Sequence, residues 1–193
     1  MIISCFRSGL FVLCMVLVLF GCREKAEYYV IATELGDIEV QLFPKQAPNT
    51  VANFLAYVES GAYEGSTFFR VCTPENEADR EVKIEVIQGG NVAEEQLLPA
   101  IQLETTEMTG LSHRDGTLSM ARATPHSAQS SFFICIGDQP ELDFAGKRNP
   151  DGQGFAAFGQ VTAGMPVVRT IQGLENVGQY LIDSVRIHRI VRK

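Results

Sequence analysis

Arg70 sits inside an apolar strand pattern, Phe68-Phe69-Arg70-Val71-Cys72, as a permanently charged side chain carrying five N–H donors in a rigid fork. Gln88 closes a second apolar run, Val86-Ile87-Gln88, ahead of Gly89 and Gly90. A third stretch, Gly116 to Asp138, holds two short apolar runs, TLSMA and SFFICI, on either side of a polar loop rich in Ser, Thr, Pro and Gln. Side chains of these types can donate and accept hydrogen bonds beside an apolar surface. Phe132 and Phe133 point to opposite faces of their strand, so only one of them can line a groove. Taken alone, Arg70 also reads as an ordinary strand arginine, Gln88 as a polar strand end and Phe133 as core.

Other chemistry finds little support. None of the three histidines has the spacing of a metal site, and Cys and His never cluster as ligands do. Of the five cysteines, Cys5 and Cys14 fall in the first twenty-one residues, around an apolar run, and Cys22 directly follows them. Cys72 and Cys135 each sit in an apolar strand pattern, where a small buried thiol is expected. A bond between them requires neighbouring strands, and the sequence leaves that open. No metal and no cofactor is expected.

The order of the segments is more specific than any one of them. Gly36-Asp37-Ile-Glu-Val-Gln-Leu-Phe43-Pro and Ala47-Pro-Asn-Thr-Val-Ala-Asn-Phe54 come first, followed by Gly65-Ser-Thr-Phe-Phe-Arg70-Val and Val86-Ile-Gln88-Gly-Gly90. Ser119-Met-Ala121-Arg122-Ala123 and the Phe132-Phe133 pair come next, then Glu141-Leu142-Asp143 and Phe155-Ala-Ala-Phe158-Gly-Gln-Val161. In this order, from about Tyr28 to Val191, the chain resembles the cyclophilins, a family of peptidyl-prolyl cis/trans isomerases.

The resemblance implies an enzyme that acts on proline-containing polypeptides without a cofactor. Rotation about a peptide C–N bond has a barrier of about 18–20 kcal/mol, and X–Pro isomers exchange slowly enough to limit folding. Weakening the amide resonance needs neither nucleophile nor metal. A donor aimed at the imide nitrogen stabilises the twisted state, while an apolar pocket holds the ring. The resemblance assigns the donor to Arg70 and a supporting hydrogen bond to Gln88. It makes Phe133 the floor of the proline pocket, Ala121, Arg122 and Ala123 a wall that pairs with the substrate backbone, and Val86, Leu142 and Phe155 an apolar rim. Glu85 and Glu141 stand where the family often has aromatics, and Ser131 where it often has Gln, changes that bear on substrate range.

The elements that must position these residues are readable from periodicity. Tyr28 to Glu34 and Ile38 to Phe43 are expected strands, turned at Leu35-Gly36-Asp37, with Ile38, Val40 and Leu42 on one buried face. Thr50 to Ser60 has helical spacing at Val51, Phe54, Leu55 and Val58, with Pro48 ahead of it and Gly61 after. Phe68 to Cys72 and Ile84 to Gln88 are strands. The charged stretch between them, Thr73 to Lys83, reads as a solvated excursion. Val92 to His113 has weak periodicity and reads as mostly loop. Met165 to Gln172 is a second helix and Ile182 to Val191 a final strand. Short strands without βαβ alternation indicate an antiparallel barrel; the resemblance sharpens this to a closed eight-stranded barrel, mainly β, capped by two short α-helices.

The N-terminal run Leu10 to Phe20 is shorter than the ~20 residues a membrane-spanning helix needs and suits a secretory signal. It ends in Leu19-Phe20-Gly21-Cys22, which resembles the bacterial lipobox and implies diacylation at Cys22. The expected organisation is a signal over residues 1–21, a lipidated tether over 22–27 and an isomerase domain over 28–193. This implies an extracytoplasmic monomer held to a bacterial membrane by lipid; a plain signal peptide and an uncleaved anchor are the alternatives. A formal charge of −7 without a Lys/Arg-rich run argues against nucleic acid as a partner. A competing reading is a binding or chaperone module that holds proline segments with little turnover.

Overall fold

The computed structural model describes residues 26–193. The expected signal, Cys22 and most of the tether lie outside the described residues. Nine strands form one antiparallel sheet: β1 (Glu27–Thr33), β2 (Gly36–Leu42), β3 (Thr67–Cys72), β4 (Val86–Gly89), β5 (Thr117–Met120), β6 (Phe132–Cys135), β7 (Ala156–Ala163), β8 (Asn176–Val177) and β9 (Tyr180–Arg192). Their order is β1-β2-β7-β5-β6-β4-β3-β9-β8, and β1 also pairs with β9. That last pairing closes eight strands into a barrel and leaves β8 as a short hairpin arm on β9, so the expected closed barrel is what the chain forms.

Alternation fills its interior. Ile38, Val40 and Leu42 of β2 face Tyr29 and Ile31 of β1 inside, with Phe68, Ile87, Phe132 and Phe158 from other strands. The helix α1 (Pro48–Glu59) adds Phe54, whose ring meets those of Tyr63, Phe132 and Phe158 at 5.2 to 5.5 Å between centroids. The helix α3 (Met165–Gln172) adds Val168 and Ile171. Before α3, Gly164 has φ 93°, and a Cβ there would meet the Asp37 carbonyl oxygen at 2.4 Å; only glycine suits so close an approach.

Residues 92–113 are more ordered than their weak periodicity suggests. A one-turn helix, α2 (Thr106–Thr109), forms there, with the Thr105 hydroxyl accepting from Met108 N–H. Ala47 at the start of α1 supplies no capping side chain. The buried Glu104 carboxylate does so from this loop, accepting from Asn49 N–H (3.1 Å), Thr50 N–H (2.8 Å) and the Thr50 hydroxyl (2.6 Å). An acid at a helix N-terminus satisfies orphan amides and complements the helix dipole.

Residues 73–83 are largely exposed, as expected of a solvated excursion, with Glu77 as the exception. Asn76 ties this excursion to the sheet, donating to Val71 O and Asn176 Oδ1, and Glu77 is 2% exposed. One acid of a solvated run can still be buried when it finds a buried guanidinium, here that of Arg148.

Candidate active site

Register brings the key side chains together. Arg70 of β3 pairs across the sheet with Gln88 of β4, which pairs with Phe133 of β6. Three neighbouring strands thus present them in one row. Phe133 points away from the barrel interior while Phe132 points into it, as strand alternation requires. A second apolar cluster, on the outer face, joins Phe133 to Cys72, Ile84, Val86, Cys135, Leu142 and Phe155, with Ala121 against it. Beyond Gln88, Gly89 and Gly90 make room for the interior rings: a Cβ on Gly89 would lie 2.7 Å from the Phe68 ring, and one on Gly90 2.9 Å from Phe132.

Above the cluster lies a groove of about 610 Å³. All nine residues expected at the site, Arg70, Val86, Gln88, Ala121, Arg122, Ala123, Phe133, Leu142 and Phe155, line it. Their depth differs from expectation. Leu142 is 0% exposed, Val86 2% and Phe155 9%, so these three form the base and lower wall with Phe133 rather than a rim. Leu142, in the short turn Pro140–Leu142, and Phe155 are joined by a hydrogen bond from Phe155 N–H to Leu142 O at 3.0 Å and pack into one cluster with Phe133 and Val86.

Arg70 is held on two sides. Its Nη1 donates to Gln88 Oε1 at 2.6 Å, while Nε and Nη2 both donate to Gln179 Oε1, at 2.9 and 2.6 Å. Three of the five guanidinium N–H groups are engaged, which leaves one on Nη1 and one on Nη2. The Arg122 side chain is not offered to the groove as a free cation. It makes a two-point pair with Asp151 (both 2.8 Å), donates to Gly154 O, and lies over the Phe155 ring. The hydrogen bonds from Arg122 hold the Asp151 carboxyl below the ordinary aspartate value.

Phe133 is braced from behind. The buried His113 ring stacks on it at 5.9 Å between centroids. Asp143 can only accept when ionised, so His113 Nδ1 carries the proton of their 2.7 Å contact, and in the neutral ring Nε2 accepts from the Ser119 hydroxyl at 2.9 Å. Ser119 is 0% exposed, so this Ser–His–Asp line supports the floor and presents no nucleophile. Cys72 and Cys135 are free and buried. Both pair with Val86 on β4 from opposite sides, so a strand separates them, and two strand spacings of about 4.8 Å each exceed the ~7 Å limit of a disulfide.

Sequence reasoning missed four contributors: Gln179, Glu77, Arg148 and Asn149. Gln179 lies in the β8–β9 turn after Gly178, and its carbonyl accepts from Val71 N–H at 2.8 Å. Glu77 and Arg148 form an ion pair with side chains 0% and 7% exposed. The Asn149 amide lines the groove, and its Nδ2 is buried without a partner. Only a three-dimensional contact reveals any of them.

Residues 28–192 match the family described as cyclophilin type peptidyl-prolyl cis-trans isomerase/CLD. The chain belongs to this family. Among its relatives, a peptidyl-prolyl cis-trans isomerase of Streptomyces antibioticus is 39% identical over 148 residues, covering 74% of this chain and 81% of the relative. Peptidyl-prolyl cis-trans isomerase B of Escherichia coli is 36% identical over 145 residues, covering 74% and 82%. A cyclophilin of Cryptosporidium parvum, solved in the presence of the dipeptide Ala-Pro, superposes with a TM-score of 0.67 at 25% identity and covers 85% of this chain and 97% of that one. This cyclophilin is therefore a peptidyl-prolyl cis-trans isomerase built on a closed barrel.

Proposed function

We propose that this cyclophilin catalyses X–Pro rotation with Arg70 as the electrophilic donor, on exported polypeptides, from a lipid anchor at Cys22. The observation that carries the catalytic reading is the arginine itself. Two uncommitted N–H groups remain on a guanidinium that is fixed on both other sides, in one strand row with an apolar ring. The Phe133 ring, backed by His113 and flanked by Leu142 and Phe155, receives the proline. That the Cryptosporidium parvum relative was solved with Ala-Pro supports a proline-sized occupant.

As the C–N bond twists, the imide nitrogen regains its lone pair, and a preorganised donor there stabilises the transition state more than the planar ground state. Gln88 gives its oxygen to Arg70, so its Nε2 is the half of the amide left for the substrate carbonyl. The N–H groups of Ala121 and Ala123 are committed to Ser131 O and Ser127 Oγ, so the backbone groups around Arg122 between them are the ones beside an extended peptide, as an added strand would use them.

Arg70→Ala should lower kcat/KM for a proline tetrapeptide by ~10²–10³, the range for loss of one preorganised donor. Wild-type turnover in that variant rules the mechanism out. For the anchor, two acyl chains on one cysteine supply the double signal that stable membrane attachment requires. Mass spectrometry of the mature N-terminus tests it: an unmodified Cys22, or cleavage elsewhere, removes the lipoprotein reading and leaves the isomerase reading standing.

A further inference from the structure

We propose that Glu77 and Gln179 are positioning residues for Arg70, which makes the charged excursion over residues 73–83 part of the catalytic apparatus. The inference rests on the reading of Arg70 as the donor. Its basis is the polarity of a chain of contacts. Glu77 Oε1 accepts from Gln179 Nε2 at 2.9 Å, and Gln179 Oε1 accepts from two nitrogens of Arg70. A carboxylate has only acceptors to offer and a guanidinium only donors. An amide placed between them therefore has one satisfied orientation, NH₂ toward Glu77 and C=O toward Arg70. Flipping it would set N–H against N–H on one side and oxygen against carboxylate on the other.

Glu77 is itself fixed from three directions. Arg148 donates through Nη1 and Nη2, and Ile84 N–H donates to Oε2 at 2.9 Å. Arg148 also donates to Val82 O at 2.6 Å, which ties it to the excursion. Burial pushes the Glu77 carboxyl up, but the Arg148 hydrogen bonds, the Ile84 amide and the Arg148 charge outweigh it and hold the group below the ordinary glutamate value. Glu77 thus stays an acceptor at neutral pH. With Gln88 on Nη1 and Gln179 on Nε and Nη2, the guanidinium plane is fixed, and its two remaining N–H groups have one direction. Without the Gln179 contact the plane can turn about the last side-chain torsions, so the donor is correctly aimed for a smaller fraction of the time.

Gln179→Ala tests this with the Glu77–Arg148 pair left in place. Loss of a hydrogen bond to a charged group should lower kcat/KM about tenfold, carried by kcat rather than KM, with the melting temperature little changed. The Arg70 Nε–H, followed by NMR, should exchange faster with solvent, which reports that the guanidinium has lost its hold, while a loss carried by kcat at unchanged KM and melting temperature is what a merely structural role for Gln179 would not produce. Glu77→Gln, which can present either end of an amide to Gln179, should also lower kcat/KM but add no further loss in the Gln179→Ala background. Wild-type kcat/KM in Gln179→Ala, unchanged Nε–H exchange, or additive losses in the double variant would overturn the proposal. Arg70→Ala separates the two failures. If that variant is inactive while Gln179→Ala is not, only the positioning role falls; if Arg70→Ala turns over normally, the reading of Arg70 falls first.

Discussion

Phe155 stands edge-on to Phe133, with ring centroids 5.4 Å apart and planes at 89°. This perpendicular pair, one ring as floor and the other as wall, sets the shape of the apolar end of the groove. Arg122 covers the second ring at 5.1 Å from its centroid, so Phe155 is packed on both sides.

Phe155 therefore contributes to stability as well as lining the groove. Phe133→Ala and Phe155→Ala should each cost about 3–5 kcal/mol, the range for a large aromatic lost from a buried site. Because the rings touch, the double variant should lose less than the combined single losses. Urea titration of the three variants measures it, and a Phe155→Ala protein as stable as wild type would return that ring to the rim.

Arg70→Lys should remain within about tenfold of Arg70→Ala in kcat/KM. Lysine keeps the charge, but a single ammonium cannot engage Gln88 and Gln179 and still direct two N–H groups into the groove. Isomerisation of a proline tetrapeptide measures it. Near-complete activity in Arg70→Lys would mean that charge, rather than a fixed fork, carries catalysis.

Glu104→Gln should destabilise the fold by about 1–2 kcal/mol, through weaker hydrogen bonds to the first turn of α1 and a lost charge at its N-terminus. Thermal unfolding checks this, with isomerase activity expected to be intact below the transition because Glu104 does not line the groove.

Burial pushes the Cys72 thiol up to about 11 from an ordinary 9.0, and Cys135 is raised in the same way. A thiol ionises more readily in the unfolded chain, so the stability linked to it is complete below pH 9 and declines as pH rises toward 11. At pH 8 neither cysteine should react with a thiol reagent until denaturant is added. Peptide mapping of the labelled protein reads both sites, and rapid labelling of Cys72 in the native state would contradict its burial.

Strand alternation made the Phe132/Phe133 division legible, and the segment order pointed to Arg70, Gln88 and the other residues that line the groove. What could not be read is depth and partnership. Leu142 and Phe155 are buried by packing against Phe133 of β6 and Val86 of β4, which no local pattern records. Glu77 lies in a run with Glu75, Asp79 and Glu81 that has the composition of a solvated loop. Its burial depends on Arg148, 71 residues later, and its link to Arg70 on Gln179, 102 residues later. Periodicity reports which face of an element is apolar, while a buried polar contact between distant loops leaves no periodic trace.

The pairing of β1 with β9 sets an order on the birth of this protein. Tyr29 pairs with Arg192, and Val30 with Val191, so the first strand made has to wait for the last. Until then β1 keeps one row of amide and carbonyl groups open, and the closing step brings together points separated by nearly the whole sequence, the kind of contact that slows folding. A chain delivered N-terminus first, by a ribosome or through a channel, cannot lock while its final strand is withheld. The barrel stays open along that seam until the strand arrives.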